Sequence, residues 1–212
     1  MPNDYAVLTE VKAALPDTNW GTAYDAILTA LITRASRALD RFTSYWPGAF
    51  FASVDETRYY DGDGTSRQWI DHLAAVPTTL AVAETGIVDT DVGAGGSYTT
   101  WLAADYMLWP RNALRDGQPY QRIDVDAFNG SKVAFYAYKR GVKIIGKFGY
   151  SLVVPDEMKQ AAIIQTTHWF KLGQQAFQKT GAVVELGQLT YAQKLDPDVA
   201  LMADHLRRGI FG

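Results

Sequence analysis

The chain has 212 residues, 48% of them hydrophobic and 20% charged, with 20 basic against 23 acidic side chains. That composition excludes a disordered or collagen-like chain and is ample for a hydrophobic core, while a formal net charge of −3 argues against a protein whose task is to coat nucleic acid. The absence of cysteine excludes a disulfide framework, a thiol nucleophile and a cysteine-ligated metal.

The opening Met1-Pro2-Asn3-Asp4-Tyr5 has no basic region followed by an apolar run, so no secretion signal is expected. The uncharged stretch Phe42 to Val54 is too short and too broken to span a bilayer, and the expectation is a soluble protein made in a cytoplasm. The first helix is expected over Leu8 to Leu15, with Thr9 as its cap and Pro16 as its stop. A longer helix follows, from about Ala23 to Tyr45. Tyr24, Ile27, Leu28, Leu31, Ala35, Ala38, Leu39, Phe42 and Tyr45 recur at steps of three or four and build one apolar face. Arg34, Arg37, Asp40 and Arg41 fall on the opposite, polar face, and Trp46-Pro47-Gly48 ends the helix.

From Thr57 to Tyr150 the period changes to that of strands. Arg58-Tyr59-Tyr60 and Gln68-Trp69-Ile70 flank Asp61-Gly62-Asp63-Gly64-Thr65, which reads as a hairpin turn. Leu80 to Glu84 and Tyr98 to Trp101 flank a glycine-rich loop holding Asp89, Asp91, Gly93, Gly95 and Gly96. Tyr106 to Pro110 is a further short strand, and Lys132–Tyr138 with Val142–Tyr150 reads as a last hairpin turning at Lys139-Arg140-Gly141. Helix returns after Val154, with Pro155 in its first turn, Asp156 and Glu157 at the positive end of its dipole and an apolar pattern from Met158 to Phe177. The Ala182 to Gly187 stretch reads as a strand or an extended arm. A final helix begins at Asp196-Pro197-Asp198, cap then first-turn proline. It runs through Val199, Leu201, Met202 and Leu206, with Arg207 and Arg208 in its last turn. Helices at both ends around one antiparallel β block predict an α+β fold. The expected organisation is a single domain: 1–56 helical, 57–154 β-rich, 155–180 helix, 181–212 C-terminal arm and helix.

Little in the chain points to catalysis. Asp61-x-Asp63-Gly64 starts like a calcium loop, but Thr65-Ser66-Arg67 follow where further ligands are needed. The 89–96 run lacks the Gly-Lys-Ser/Thr ending and the helix of a phosphate loop. His72, His168 and His205 are at least 37 positions apart, so no helical metal-binding pair exists. No Gly-x-Ser-x-Gly elbow is present, and no two of the 23 acids are marked as a glycosidase pair. Lys132, Lys139, Arg140, Lys143 and Lys147 fall in 16 residues without an acid, interleaved with Phe135, Tyr136, Tyr138 and Phe148. Cations with aromatics suit single-stranded nucleic acid, and a hairpin with aromatics buried and lysines in solvent explains them equally. Leu206-Arg207-Arg208-Gly209-Ile210-Phe211-Gly212 ends apolar, with more apolar surface than one short helix is expected to hide.

Taken in order, these segments resemble the head–tail connector (adaptor, or head-completion) proteins of long-tailed bacteriophages. The matching pieces are Leu8-Thr9-Glu10-Val11-Lys12, the Ile27 to Tyr45 helix with Ala35-Ser36-Arg37-Ala38-Leu39-Asp40-Arg41-Phe42, and Thr57-Arg58-Tyr59-Tyr60-Asp61-Gly62. Ile144-Ile145-Gly146-Lys147-Phe148-Gly149-Tyr150 follows, then Val154-Pro155-Asp156-Glu157-Met158-Lys159-Gln160-Ala161-Ala162, and Asp196-Pro197-Asp198-Val199 ending near Arg207-Arg208. The resemblance covers most of the chain, and the β block from about Leu80 to Asn129 is longer than in compact members of the family. It implies a structural virion protein of the neck without cofactor or metal, made in the host cytoplasm. Its helices would form the body of a ring, expected to have twelve subunits, that binds beneath the portal and extends the DNA channel. Leu201, Met202, Leu206, Arg207, Arg208, Ile210 and Phe211 would engage the portal, and the 89–96 loop would face a stopper or tail protein. Lys132, Lys139, Arg140, Lys143 and Lys147 would touch packaged DNA transiently. A stopper, a tail terminator and a carbohydrate-active enzyme are the alternatives, and the helical start beyond 20 residues favours the adaptor over the mostly β neck proteins.

Overall fold

The computed structural model describes residues 3–15, 21–86, 88, 96–178 and 195–208. The polypeptide divides into two compact units, one formed by Met1–Phe51 with Val154–Gly212 and the other by Ala52–Val153. The first unit holds the four described helices, α1 (Leu8–Ala14), α2 (Asp25–Thr43), α3 (Asp156–Gln178) and α4 (Pro197–Asp204). The second holds seven strands in two antiparallel sheets inserted between the N- and C-terminal helices, so the fold is α+β. No described helix is long and apolar enough to cross a membrane.

In α2 the apolar spacing does what it predicts at the centre and not at the start. Leu28, Ile32, Ala35 and Leu39 are fully or almost fully buried, whereas Tyr24 and Ile27 are exposed. Ala35 and Ala38 leave room for Trp169 of α3, with Leu31, Leu172 and Leu195 packed around them. Ser44 ends the helix in the left-handed region at φ 62°, its N–H donating to Arg41 O, and the next N–H reaches Asp40 O at 2.9 Å. Asp40 departs from the expected polar face. It is 1% exposed and forms a hub: the Tyr5 hydroxyl donates to it, Gly48 N–H donates to Oδ2 at 3.2 Å, and Arg37 Nε lies 3.2 Å away. Burial pushes Asp40 above the usual carboxylate range, while those three partners pull the other way. The Tyr5 hydroxyl also accepts from Phe50 N–H, and Tyr5 N–H donates to Ser36 Oγ at 3.0 Å. A charge-pattern reading misses this because Asp40 lies among arginines, and only the folded segment 3–7 brings Tyr5 over it.

α1 is capped by Val7 rather than Thr9: Glu10 and Val11 N–H donate to Val7 O, and the Glu10 carboxylate accepts from Val7 N–H at 3.0 Å. α3 begins at Asp156, with Pro155 accepting its first turn through Lys159 N–H. Asp196 caps α4 as expected, its Oδ1 accepting from Asp198 N–H at 2.9 Å with Pro197 in the first turn.

The strands are β1 (Glu56–Tyr60), β2 (Arg67–Leu73), β3 (Thr79–Ala83), β4 (Tyr98–Thr100), β5 (Tyr106–Trp109), β6 (Tyr120–Val125) and β7 (Val142–Gly146). They form a sheet of order β1-β7-β3-β4 and a second of order β2-β6-β5. β1 and β2 therefore belong to different sheets, and 61–65 is a crossing between them, not a hairpin turn. Segment 132–138 is likewise not a strand. It is stitched to the crossing instead: Gly62 N–H donates to Tyr138 O, Gly64 N–H to Phe135 O and Phe135 N–H to Thr65 O. A Cβ on Gly62 would stand 2.0 Å from Tyr136 O, so this approach of backbones requires the glycine. Strand β6 is absent from the sequence reading because Gln121, Arg122 and Asp124 mask its alternation. Leu73, Leu80, Val82, Ile123, Phe135 and Ile144 centre the core between the two sheets. Along β7, Val142 and Ile144 point inward while Lys143 and Ile145 stay half-buried.

Candidate functional site

The C-terminal helix is held by its own unit. Gln165 of α3, itself buried, accepts Asp196 N–H at 2.8 Å, and His168 Nδ1 lies 3.2 Å from Asp196 Oδ2. His168 thus has a structural partner at the α4 cap. Val199, Ala203 and Leu206 are buried, Met202 is half-buried and Leu201 is 77% exposed. Arg207 and Arg208 lie beyond the helix, which ends at Asp204, rather than in its last turn. Arg208 N–H donates to Thr43 O at 2.9 Å, and the two guanidinium groups sit over Phe42 (5.1 Å) and Trp46 (5.9 Å). Of the described apolar residues expected to seek a partner, Leu206 is therefore covered within the unit, Met202 is partly covered and Leu201 remains outward. Ile210 and Phe211 lie outside the described residues.

Of the loop residues, Asp89, Asp91, Gly93 and Gly95 also lie outside the described residues. Gly96 is described and passes so close to Gly86 that a Cβ would stand 2.5 Å from Gly86 O.

The five cations do not form one patch. Lys132 pairs with Glu84 at 2.7 Å, and Lys147 lies just past the end of β7, four residues on from Lys143 and about 13 Å away at strand rise. Arg140 and Lys143 do come together, around the turn that leads into β7 and beside two tyrosines outside the run of cations, Tyr59 and Tyr98. Arg140 adopts φ 50°. Its N–H donates to Asp61 Oδ1 and its carbonyl accepts the Tyr98 hydroxyl, each at 2.6 Å. Its guanidinium stands 4.6 Å from the Tyr59 ring centre, and Lys143 Nζ stands 5.8 Å from that of Tyr98. Tyr59 pairs with Lys143 in register, and β3 adds only Ala81 and Ala83 to this face, which lets the tyrosine rings approach to 6.4 Å. Of the aromatics interleaved in the sequence, Phe135 and Phe148 are buried and serve the core.

Two further surface features emerge from the second sheet. Trp69, Arg122 and Trp109 stand side by side on β2, β6 and β5, with the guanidinium 5.4 and 5.1 Å from the two indole centres and gripped by both oxygens of Asp124. Trp69 is 65% exposed. The Asp126–Ser131 turn presents Phe128 at 96% exposure, and its frame is rigid. Asp126 accepts from Asn129 and from the N–H groups of Phe128 and Asn129, and Asp105 accepts from Ser131 and Leu102 N–H. These bonds hold both carboxyls below the usual range, through Asn129 for Asp126 and Ser131 for Asp105. Neither feature is marked in the sequence, since the ladder needs the pairing of β6 and the turn needs the fold around Asp105. Asp63, the acid of the calcium-like stretch, spends its carboxylate on Thr65, through the hydroxyl at 2.7 Å and the N–H at 2.9 Å. Among the described residues no cluster of three potential metal ligands occurs.

No protein-family model and no curated protein matches the chain. Two solved chains are similar in fold. One belongs to the neck of an empty GTA particle computed with C6 symmetry, at TM-score 0.56 and 17% identity, covering 100% of this chain and 95% of that one. The other belongs to the neck of a native GTA particle computed with C12 symmetry, at TM-score 0.49 and 19% identity, covering 100% and 98%.

Proposed function

We propose that this chain is a structural protein of the neck of a phage-like particle, and that within the neck it is the adaptor that seats beneath the portal. The observation that carries the reading is the fold likeness to a neck chain along the whole length of both molecules, helices and inserted β block included. The order of motifs along the sequence supports the same family independently of that likeness. The chemistry agrees with a scaffold role: the three histidines are far apart in sequence, and the described carboxylates with depressed pKa hold turns or, in Glu10, the start of α1.

In this reading the helical unit forms the ring body, and self-association in a ring makes the channel. The β unit carries the exposed anchors, Trp69, Trp109 and Phe128, that a stopper or tail protein would grip. Tryptophan and arginine, both present in the ladder, are the residue types that dominate interface energies, and a pre-ordered turn loses little entropy on binding. The 89–96 loop, with Asp89, Asp91, Gly93, Gly95 and Gly96, is assigned to the same tail-facing side. The portal contact is assigned to Leu201, Met202, Ile210 and Phe211. Leu206, Arg207 and Arg208 support it from within the unit.

The test is genetic and structural at once. Deleting the coding sequence from the source genome should leave DNA-filled heads and finished tails that fail to join, with joining restored by the purified chain. Complete, joined particles formed without the chain would overturn the assignment.

A further inference from the structure

We infer that Asn129 is a latent modification site, set to deamidate through a cyclic imide, and that Asp126 is the residue that holds the reaction off. The chain has four asparagines, Asn3, Asn19, Asn112 and Asn129, and only Asn129 is followed by glycine. A following glycine puts no side chain beside its own nitrogen and lets the main chain reach conformations closed to other residues. The fold keeps this reactive pair. A Cβ on Gly130 would stand 2.5 Å from Asp105 Cα and 2.8 Å from Ala104 O, so no other residue fits there unless main chain moves. Asn129 is exposed, so solvent base and water reach it.

In the reaction the Gly130 main-chain nitrogen, having lost its proton to solvent base, attacks Asn129 Cγ. A C–N bond forms, the Cγ–Nδ2 bond breaks, and Nδ2 leaves as ammonia with a proton taken from water. Water then opens the five-membered imide at one of its two carbonyls. One opening leaves aspartate. The other leaves isoaspartate, in which the main chain runs through Cβ and Cγ. Water is the co-reactant, and nothing is oxidised or reduced.

Both reacting nitrogens are restrained by one residue. Gly130 N–H, the nucleophile, donates to Asp126 O at 2.9 Å, and Asn129 Nδ2, the leaving group, donates to Asp126 Oδ2 at 2.8 Å. Asp126 Oδ1 accepts the N–H groups of Phe128 and Asn129, each at 3.1 Å, which fixes the main chain between them. Asp126 is itself anchored, its N–H donating to Asp105 O at 2.9 Å. Attack needs this set of bonds to open, so the folded chain reacts at the intrinsic rate multiplied by the opening equilibrium. Each net hydrogen bond is a factor of about five in that equilibrium, and several must open together. The products act on the turn. Either one puts a carboxylate where the Asn129 amide now donates to Asp126, a like charge in place of a donor. Isoaspartate also lengthens the main chain between Phe128 and Ser131, which Asp105 holds. The chemistry at Asn129 does not depend on the neck assignment; only the value of the exposed Phe128 as an anchor does.

The experiment is tryptic peptide mapping by mass spectrometry of the full chain, sampled over time at mildly alkaline pH. The peptide Ile123–Lys132 contains Asn129 and no other side-chain amide, so its gain in mass on conversion of amide to acid reads this residue alone. The folded parent should convert at least about tenfold more slowly than the parent unfolded in guanidinium chloride. Asp126→Ala should convert at least about tenfold faster than the folded parent. Asp105→Ala frees Ser131 but leaves the bonds from Asn129 and Gly130 to Asp126 in place, so it should convert more slowly than Asp126→Ala. Amide exchange of β6 in the same samples shows that the β unit stays folded. Equal rates in folded and unfolded parent would overturn the restraint, and that comparison needs no variant. Conversion of Asn129 no faster than that of Asn112 in the unfolded parent would overturn the site itself. The role of Asp126 is refuted by an unchanged rate in Asp126→Ala, by an equal gain in Asp105→Ala, or by a gain that comes only with lost β6 protection.

Discussion

Removing the carboxylate of Asp40 should be the most damaging single change in the helical unit that leaves core volume almost untouched. Asp40→Ala strips the acceptor from the Tyr5 hydroxyl and from Gly48 N–H, and it strips Arg37 of its buried counter-charge. Bonds to a charged group contribute about 1.5–3 kcal/mol each, but the carboxylate also carries a burial cost, which its raised pKa records. Breaking a buried pair from one side costs about 3–5 kcal/mol, and the loss here should fall in that range. Asp40→Asn keeps an acceptor and sheds the burial cost, so it should lose only about 1–2 kcal/mol. Tyr5→Phe removes the hydroxyl that donates to Asp40 and accepts from Phe50 N–H and should cost a similar amount. The described helices all belong to one unit, so helical circular dichroism during urea unfolding reports on that unit alone. With a urea dependence of about 2 kcal/mol per molar, Asp40→Ala should lower the midpoint by about 1.5–2.5 M. Tyr5→Phe should then add little on top of it, because both changes remove the same bond. An unchanged midpoint in Asp40→Ala, or full additivity of the two changes, would refute the idea of a hub.

Other outcomes follow from single contacts. Leu39→Asp places a charge at a site with no exposed surface and should cost several kcal/mol, read as loss of soluble, cooperatively unfolding protein; an unchanged melting temperature contradicts it. Gly62→Ala sets a methyl group against Tyr136 O and should destabilise the β unit by about 3 kcal/mol, measured as protection of the β1 and β7 amides in hydrogen exchange. Asp105 and Asp126 have pKa values below their unfolded ones, so their contribution is complete above the ordinary carboxylate range and is lost as pH falls through it. Protection of the Ser131 amide should hold at neutral pH and drop only as pH falls below about 4, and Asp105→Asn should flatten that drop. Asp40 has the opposite sign: its burial cost is absent at low pH and grows as pH rises toward its folded pKa, so Asp40→Asn should lose least, relative to the parent, at neutral pH.

The helices were legible because local signals define them. The 28–39 face, the Asp196-Pro197 cap and the acidic start of α3 each act within a turn or two of the chain. The strands were legible one at a time but not in their pairing. β1 and β2 looked like a hairpin because Asp61-Gly62 and Asp63-Gly64 favour turns, yet Gly62 serves the close passage of Tyr136, 74 residues on. That contact is long-range, and no period records it. Sites fared likewise. The run of cations was visible, but its division was not, because Glu84 and Tyr98 lie far from Lys132 and Lys143 in sequence. Asp40 was placed by its helical angle, which is right for a bare helix and wrong once Tyr5 covers it.

The reading of the chain as a neck adaptor is tested most directly by imaging it with its portal. Purified chain mixed with the portal protein of the same genome should form a ring coaxial with the portal and beneath it, with α4 and Leu201 at the junction. Particles in which the portal stays bare at saturating chain, or in which the chain seats through its β unit, would contradict the account.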